Sequence, residues 1–364
     1  MGGSSRVIGI VNQNVDLKVH ETDDREVGKT MDGSSAHTIL VAGATGYVGG
    51  RLIPRLLEKE YKVRCLARDA ARIEGRGWKN IEVFTGDVLQ YETLLPALQG
   101  VDTAYYLVHS MAAGEQGFEE RDLIAAQNFG RAAQAAGVKR IIYLGGLGRD
   151  EDELSHHLRS RHAVGEQLRS WDVAVTEFRA GVIIGAGSVS FQLIRYLTER
   201  VPVLISPKWV STLTQPISIE DVLRYLVECL EMPETENRIV EIGGRDILSY
   251  GQMMLSYAKV RGLRRWLVPV PVLTPRLSSW WVRLVTPLPM SIARPLIDGL
   301  KNQVIVEDPT ARQLFPFTPL GYEEAVRIAL KRTESGEVET TWSDSTKKDR
   351  KGCNFWHILF CWLK

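Results

Sequence analysis

Thr38-Ile-Leu-Val-Ala-Gly-Ala-Thr-Gly-Tyr-Val-Gly49 is the stretch that decides the fold. Its apolar run, Thr38 to Ala42, ends at a glycine, as a strand buried in a parallel sheet does. Gly43, Gly46 and Gly49 follow at three-residue spacing, and helical periodicity then runs from Tyr47 to Glu60, with Val48, Leu52, Ile53, Leu56 and Leu57 on one side. A strand, a glycine turn and a helix in that order build a phosphate site. One glycine makes the tight turn, the next lets backbone approach a pyrophosphate, and the last lets the helix pack closely on the strand. The helix N-terminus contributes unpaired N–H groups and a partial positive charge. Glycine spacing alone would describe any turn; the strand before it and the helix after it tie it to a dinucleotide.

Outward from this turn the pattern repeats. Strands are expected at Tyr61–Ala67, Ile81–Phe84, Thr103–Val108, Arg140–Leu144 and Ala174–Phe178, with helices at Gln90–Gln99, Leu123–Ala136 and His156–Ser170. Parallel neighbours need crossover helices, so the alternation predicts an α/β doubly wound parallel sheet, a Rossmann fold. After Arg179 it loosens into helices at Phe191–Arg200, Ile219–Glu231 and Tyr250–Arg261 and an extended piece at Arg238–Ile242. These suggest a small C-terminal substrate lobe, formed mainly by residues 188–320. The domain plan is then a flexible N-terminal extension at 1–36, a dinucleotide-binding domain with its lobe at 37–330, and a linker with an aromatic and basic tail at 331–364.

Composition narrows the classes. Apolar residues make up 44% and charged residues 24% of 364, with a net charge of +1. That is an ordinary globular balance, without the basic field a nucleic-acid binder needs. Cys65, Cys229, Cys353 and Cys361 show no metal-ligand or paired spacing, which argues against a zinc site or a disulfide framework and fits a reducing, cytoplasmic setting. Val7 to Val11 is too short for a signal-peptide core of about 7–15 residues. No run reaches the roughly 18 apolar residues of a spanning helix. Leu267–Pro289, with Trp280 and Trp281, and the tail Asn354–Lys364 leave weak peripheral membrane contact as an expectation.

The end of the second strand selects the cofactor. A carboxylate there accepts from the ribose of NAD, whereas an arginine meets the 2′-phosphate of NADP. Arg68 favours NADP, with Arg64 as a helper, and NAD is the alternative. Asp69 either caps the next helix or accepts from a ribose. Asp87 in Gly86-Asp87-Val88 either accepts from an adenine amino group or caps the helix that follows. Asn128, inside an apolar helix, needs a buried partner and suits a tie between elements.

Several of these segments together resemble the atypical, NmrA-like branch of the extended short-chain dehydrogenase/reductases, over about His37 to Leu330. The likeness rests on the glycine turn, on Val63-Arg-Cys-Leu-Ala-Arg-Asp69, on Gly86-Asp-Val88 and on Gly100-Val-Asp-Thr-Ala-Tyr-Tyr-Leu-Val-His-Ser-Met111. It continues through Phe178-Arg-Ala-Gly-Val-Ile-Ile-Gly-Ala-Gly187 and Gln215-Pro-Ile-Ser-Ile-Glu-Asp-Val222. A bacterial subgroup, described as nucleotide-sugar epimerases or oxidoreductases, is similar at Tyr105 to Met111, His157 to Arg161 and Arg179 to Ser188. The resemblance implies that Gly43, Thr45, Gly46, Tyr47, Val48 and Gly49 line the pyrophosphate, Arg68 the 2′-phosphate, and Asp87 and Val88 the adenine. It implies Leu107, Val108 and His109 beneath the cofactor and Ala180, Gly181 and Val182 beside the nicotinamide. The similar bacterial proteins continue into a further domain through a segment like Val338–Asp344. Here a basic stretch, Ser345–Cys353, follows instead, which reads either as truncation or a shifted frame, or as a native tail.

The catalytic positions depart from that family's Ser-Tyr-Lys set. Gly145 and Gly146 stand where serine is expected, His157 takes the tyrosine position and Arg161 the lysine position. Histidine titrates in the useful range and serves as an acid, whereas arginine grips a hydroxyl but does not exchange protons. His156 and His162 blur the choice, and a surface helix start with exposed histidines is the plainer account. His109, at a strand's C-terminal end, is a second candidate acid or a histidine packed under the cofactor, and Ser110 is the neighbouring hydroxyl. Two functions follow: an NADPH-dependent oxidoreductase or epimerase-like enzyme with non-standard acids, or a non-catalytic dinucleotide-binding sensor or assembly protein. Gln192, Tyr196 and Trp209 in the lobe suggest a small, hydrophobic substrate.

Overall fold

A computed structural model describes residues 37–109, 117–149, 153–206, 208–269 and 286–344. The N-terminal extension, Ser110, most of the Leu267–Pro289 segment and the tail beyond residue 344 lie outside the described residues.

The alternation read from the sequence becomes β1 (Thr38–Ala42), α1 (Gly49–Glu58), β2 (Lys62–Ala67), α2 (Ala71–Glu74), β3 (Ile81–Thr85), α3 (Tyr91–Leu98), β4 (Thr103–Tyr106), α4 (Phe118–Ala136), β5 (Arg140–Gly146), α5 (His156–Arg169) and β6 (Ala174–Ala180). These six strands are parallel, and the edge strand Arg238–Ile242 joins them beside β6 as a seventh. The order across the sheet is Arg238–Ile242, β6, β5, β4, β1, β2, β3. Chain direction across the sheet reverses between β1 and β4, and that reversal opens the crevice in which such sheets bind ligands.

Alternate residues of β1 feed two cores. Ile39 and Val41 pack with Leu52, Ile53, Leu56 and Phe178 on the α1 face; Leu40 and Ala42 pack with Leu98, Phe129, Ile141 and Leu168 on the other. Each fully buried Leu, Ile or Phe stabilises the fold by about 1.5–3 kcal/mol.

The lobe differs from expectation in its extent. α6 (Val189–Glu199), α8 (Tyr250–Val260) and the helix Tyr322–Glu334 share a separate core through Phe191, Leu197, Met253, Tyr257, Tyr322 and Val326. Between them, α7 (Ile219–Glu228) and the edge strand return to the main core, where Val222, Leu226, Val240 and Ile242 are buried. The lobe core therefore extends past residue 320, and the boundary expected at 330 falls inside a helix. Residues 338–344, expected as linker, are packed: Thr340 donates its hydroxyl to the Tyr47 carbonyl at 2.8 Å, and the Trp342 N–H reaches the Gly187 carbonyl at 3.0 Å.

Candidate functional site

The glycine turn has two kinds of glycine. Gly43 has φ +94°, and a Cβ there would stand 2.5 Å from the Leu107 carbonyl oxygen. A Cβ on Gly49 would fall onto the Gly43 carbonyl itself. Both are required by the protein's own backbone. At Gly46 the only neighbour a Cβ would meet among the described residues is the Gly43 oxygen at 3.1 Å, which leaves the space outside it for a phosphate. The Gly46 N–H closes the turn on that same oxygen at 2.9 Å.

α1 starts with no side-chain cap and no acid in its first turn. By contrast, α5, α6, α7 and α8 begin on Ser155, Ser188, Ser218 and Ser249, whose hydroxyls accept first-turn N–H groups. The uncapped end of α1 fits the diphosphate of a dinucleotide.

Tyr47 shapes the turn with its backbone, while its ring packs behind it. The Arg51 guanidinium stands 4.7 Å from the ring centroid, and the buried hydroxyl lies against Gly185 without a hydrogen-bond partner among the described residues. Burial pushes the phenol well above its ordinary range. Val48 packs into the core.

At the end of β2, Arg68 is exposed and forms no hydrogen bond or ion pair with any described residue. Asp69 makes a helix-start contact: its Oδ1 accepts the Ala71 N–H at 3.1 Å. Arg64 is withdrawn from the expected helper role, because it donates to Glu82 at 2.9 Å and to the Ala97 and Gln99 carbonyls at 2.7 and 2.8 Å. Asp87 Oδ1 accepts the Leu89 N–H at 3.1 Å in the turn before α3 and does not cap that helix, which starts after Gln90 without a side-chain cap. Asn128 ties α4 to the loop after β3 by donating to the Val88 carbonyl at 3.2 Å.

Leu107 extends β4, its N–H donating to the Ala42 carbonyl at 2.9 Å. Two residues further on, His109 Nδ1 lies 3.0 Å from Asp122 Oδ2 on α4. A carboxylate only accepts, so Nδ1 carries the hydrogen and Nε2 is a lone pair. That Nε2 is buried and has no partner among the described residues. The His157 ring stands 4.9 Å from the His109 ring, tilted by 51°, and its buried Nδ1 also lacks a described partner. Burial holds His109 below the usual histidine value against the opposing pull of Asp122. Burial holds His157 well below it, with His109 and Arg161 adding to the effect.

The other histidines of α5 are accounted for. His156 is exposed beside Glu119 at 2.9 Å, and His162 is buried with its Nε2 3.0 Å from the Gly146 carbonyl. His157 alone of the three faces His109. Arg161 binds the Leu144 carbonyl and covers the Tyr143 ring at 5.1 Å, placing its charge at the C-terminal end of β5.

The missing serine has a packing reason. A Cβ on Gly145 would meet Glu177 Oε1 at 3.1 Å, and one on Gly165 would collide with the same carboxylate. Glu177 is fully buried and paired with Arg169 and with Arg179 Nε at 2.8 Å, so both glycines make room for it. Ala180 accepts the Leu147 N–H at 2.9 Å, Val182 accepts the Ile217 N–H at 2.9 Å, and a Cβ on Gly181 would touch the Gln215 oxygen at 3.4 Å. Sequence reasoning missed Asp122. Its signal was a carboxylate on the buried stripe Asp122, Ala125, Ala126, Phe129 of α4.

The two depressed histidines have a consequence for stability. As pH falls through about 6.5, the unfolded chain takes up protons that the folded rings refuse, so stability declines toward acid. His157→Phe is expected to retain more of its Tm than the unmodified protein between about pH 7 and pH 5. Thermal melts that run parallel for the two proteins over that range would contradict it.

Turn, strand order and crevice define a dinucleotide-binding protein of the Rossmann class. Residues 43–184 match the family described as NAD(P)H-binding. That stretch is an NAD(P)H-binding domain with a Rossmann fold. It is 24% identical over 211 residues to a photosystem II assembly factor of Trieres chinensis, a match spanning 57% of this chain and 64% of that protein, somewhat under two thirds. It is 27% identical over 237 residues to the ceramide reductase of Caulobacter vibrioides, spanning 64% and 73%. It shares the fold of the Escherichia coli NADPH-dependent quinone oxidoreductase QOR2 complexed with NADPH, with TM-score 0.65, 20% identity, and coverage of 79% of this chain and 98% of that one. Among the described residues, no helix is long and apolar enough to cross a membrane.

Proposed function

We propose that the chain is an NADPH-dependent oxidoreductase or epimerase-like enzyme with non-standard acids, His109 and His157, in place of the Ser-Tyr-Lys set of short-chain dehydrogenases. One observation carries this reading. Two largely buried imidazoles, each with a nitrogen that has no partner among the described residues, face each other, and His109 stands two residues beyond the Leu107 backbone that touches the glycine turn. Buried polar atoms are nearly always paired, so such nitrogens mark a place where a ligand completes the bonding.

NADPH would supply a hydride. The residues that would hold it are Gly43, Thr45, Gly46 and Gly49 at the pyrophosphate, Arg68 at the 2′-phosphate, and Asp87 and Val88 at the adenine, with Leu107, Val108, Ala180, Gly181 and Val182 around the nicotinamide. The open face of Gly46, the uncapped end of α1 and the unengaged Arg68 fit that ligand. NADPH in the quinone oxidoreductase complex supports the choice of NADP over NAD.

Arg68→Ala is expected to weaken NADPH binding by about 10–100-fold, the value of a charged contact, while NADH affinity changes less than about twofold. Titration with both nucleotides checks this; equal losses for the two would remove Arg68 from the 2′-phosphate.

A second reading, a dinucleotide-binding assembly or sensor protein, draws on the absent serine, tyrosine and lysine and on the likeness to an assembly factor. NADPH consumption against a panel of carbonyls, quinones and nucleotide sugars separates the two. Turnover with any of them supports the enzyme; tight NADPH binding with no turnover across the panel supports the binding protein.

A further inference from the structure

The carboxylate behind His109 comes from no motif of the dinucleotide site, yet it is placed with care. Asp122 is 3% exposed, on the face of α4 that meets α5, and Ser160 of α5 lies 3.4 Å from the same Oδ2 that meets His109. We propose that Asp122 is a positioning residue: it fixes His109 in the tautomer whose Nε2 lone pair is open, making that nitrogen the proton-exchanging atom of the site. This rests on the oxidoreductase reading above.

The opposite tautomer would set a bare Nδ1 against a carboxylate, two acceptors facing each other in a largely buried space. With the proton on Nδ1, an imidazolium formed at Nε2 keeps Asp122 as its counter-charge. Among the other groups near the pair, the Arg161 guanidinium, held by the Leu144 carbonyl, opposes an imidazolium at His109, and the Asp122 contact pulls the other way. His157 is an uncharged neighbour, and Tyr106 and Tyr143, near Asp122, are buried phenols held protonated by desolvation. A carbonyl becomes an alcohol by gaining one hydride, supplied by NADPH, and one proton. His109 Nε2 first takes that proton from solvent, forming the imidazolium paired with Asp122, and passes it to the carbonyl oxygen as the hydride arrives, which returns the ring to its neutral Nδ1–H form.

Long-range ¹H–¹⁵N correlation of the imidazoles reads the tautomer without any substrate. At mildly alkaline pH the unmodified protein should show His109 protonated at Nδ1 with Nε2 bare. Asp122→Asn keeps an acceptor oxygen without the charge, so the tautomer should persist. Asp122→Leu removes both, and the tautomer should become mixed.

With NADPH and 9,10-phenanthrenequinone as the probe acceptor, Asp122→Asn should move the pH limb of kcat toward acid. Asp122→Leu should lower kcat by at least about tenfold, with the KM for NADPH within about twofold. An unchanged His109 tautomer in Asp122→Leu, or an unmoved pH limb in Asp122→Asn, overturns the proposal. An unmodified protein that binds NADPH and does not reduce the quinone counts against the oxidoreductase reading for that acceptor. The tautomer measurement then decides the assignment of Asp122 by itself.

Discussion

Gly49→Ala is expected to destabilise the chain severely, whereas Gly46→Ala, three residues earlier, is expected to fold and fail to bind a dinucleotide. A methyl group on Gly49 would occupy the Gly43 carbonyl, and the next nearest atom is again backbone, the Gly43 carbonyl carbon at 2.9 Å. A backbone carbonyl cannot rotate away as a side chain can. The substitution must push α1 off β1, where Leu52, Ile53 and Leu56 fill the core. Overpacking of this kind costs about 1–3 kcal/mol where side chains yield and more where they cannot. At roughly 2–4 °C per kcal/mol, a fall in Tm on the order of 10 °C is expected. Gly46→Ala meets one oxygen at 3.1 Å, which a shift of a few tenths of an ångström relieves. Its Tm should stay within a few degrees. Its methyl group instead takes the space left for the pyrophosphate, and NADPH affinity should drop by about a hundredfold. Melts and nucleotide titrations on the pair decide the matter. Equal melting temperatures for the two variants would show that the glycines do not divide their labour in this way.

That division was partly legible in the sequence. A strand ending at Gly43 and a helix opening near Gly49 carry the turn, because the periodicities on either side are local properties of the chain. The six strands found from sequence were legible for the same reason. The edge strand Arg238–Ile242 was visible as an extended piece, but its partner β6 lies about sixty residues earlier, and pairing at that separation leaves no local trace. Asp69 was open in sequence between a helix-start contact and a ribose contact, and its hydrogen bond from the Ala71 N–H is the first of these. The histidines show the limit most clearly. His156, His157 and His162 are alike in composition, and only the packing of α4 against α5 assigns one to solvent, one to the Gly146 carbonyl and one to His109. Asp122 was not singled out in the sequence, since burial of a carboxylate depends on which face its helix presents to a neighbour far away in sequence. Gly145 looked like a lost serine; the reason for it, the buried Glu177, lies on the adjacent strand.

Arg51→Met should be the most damaging substitution outside the glycine turn, through a segment distant in sequence. Arg51 is fully buried on α1 and holds residues 338–344 to the main domain. Its Nε donates to the Thr340 hydroxyl at 2.9 Å, and its Nη2 to the Ala186 carbonyl at 2.8 Å and the Thr340 carbonyl at 3.2 Å. Nη1 stands 3.5 Å from Glu339. Methionine fills much of the volume but leaves two buried carbonyls unpaired. Glu339 keeps Arg55 and Arg332, each at 3.1 Å, so its charge stays compensated and the loss is concentrated on Thr340. Leaving two buried carbonyls without a donor costs about 1–3 kcal/mol each, equivalent to a fall of roughly 5–10 °C in Tm. Lysine should not rescue it, because a single ammonium group cannot serve a hydroxyl and two carbonyls in a fixed fork. Hydrogen exchange should locate the damage, with protection lost at the Trp342 amide before it is lost in β1 or β4. The segment has a second attachment, the Trp342 N–H on the Gly187 carbonyl at 3.0 Å and its Nε1 on Gln192 at 2.9 Å. If Arg51→Met keeps its Tm and the exchange of residues 338–344 is unchanged, that tryptophan anchors the segment and the arginine does not.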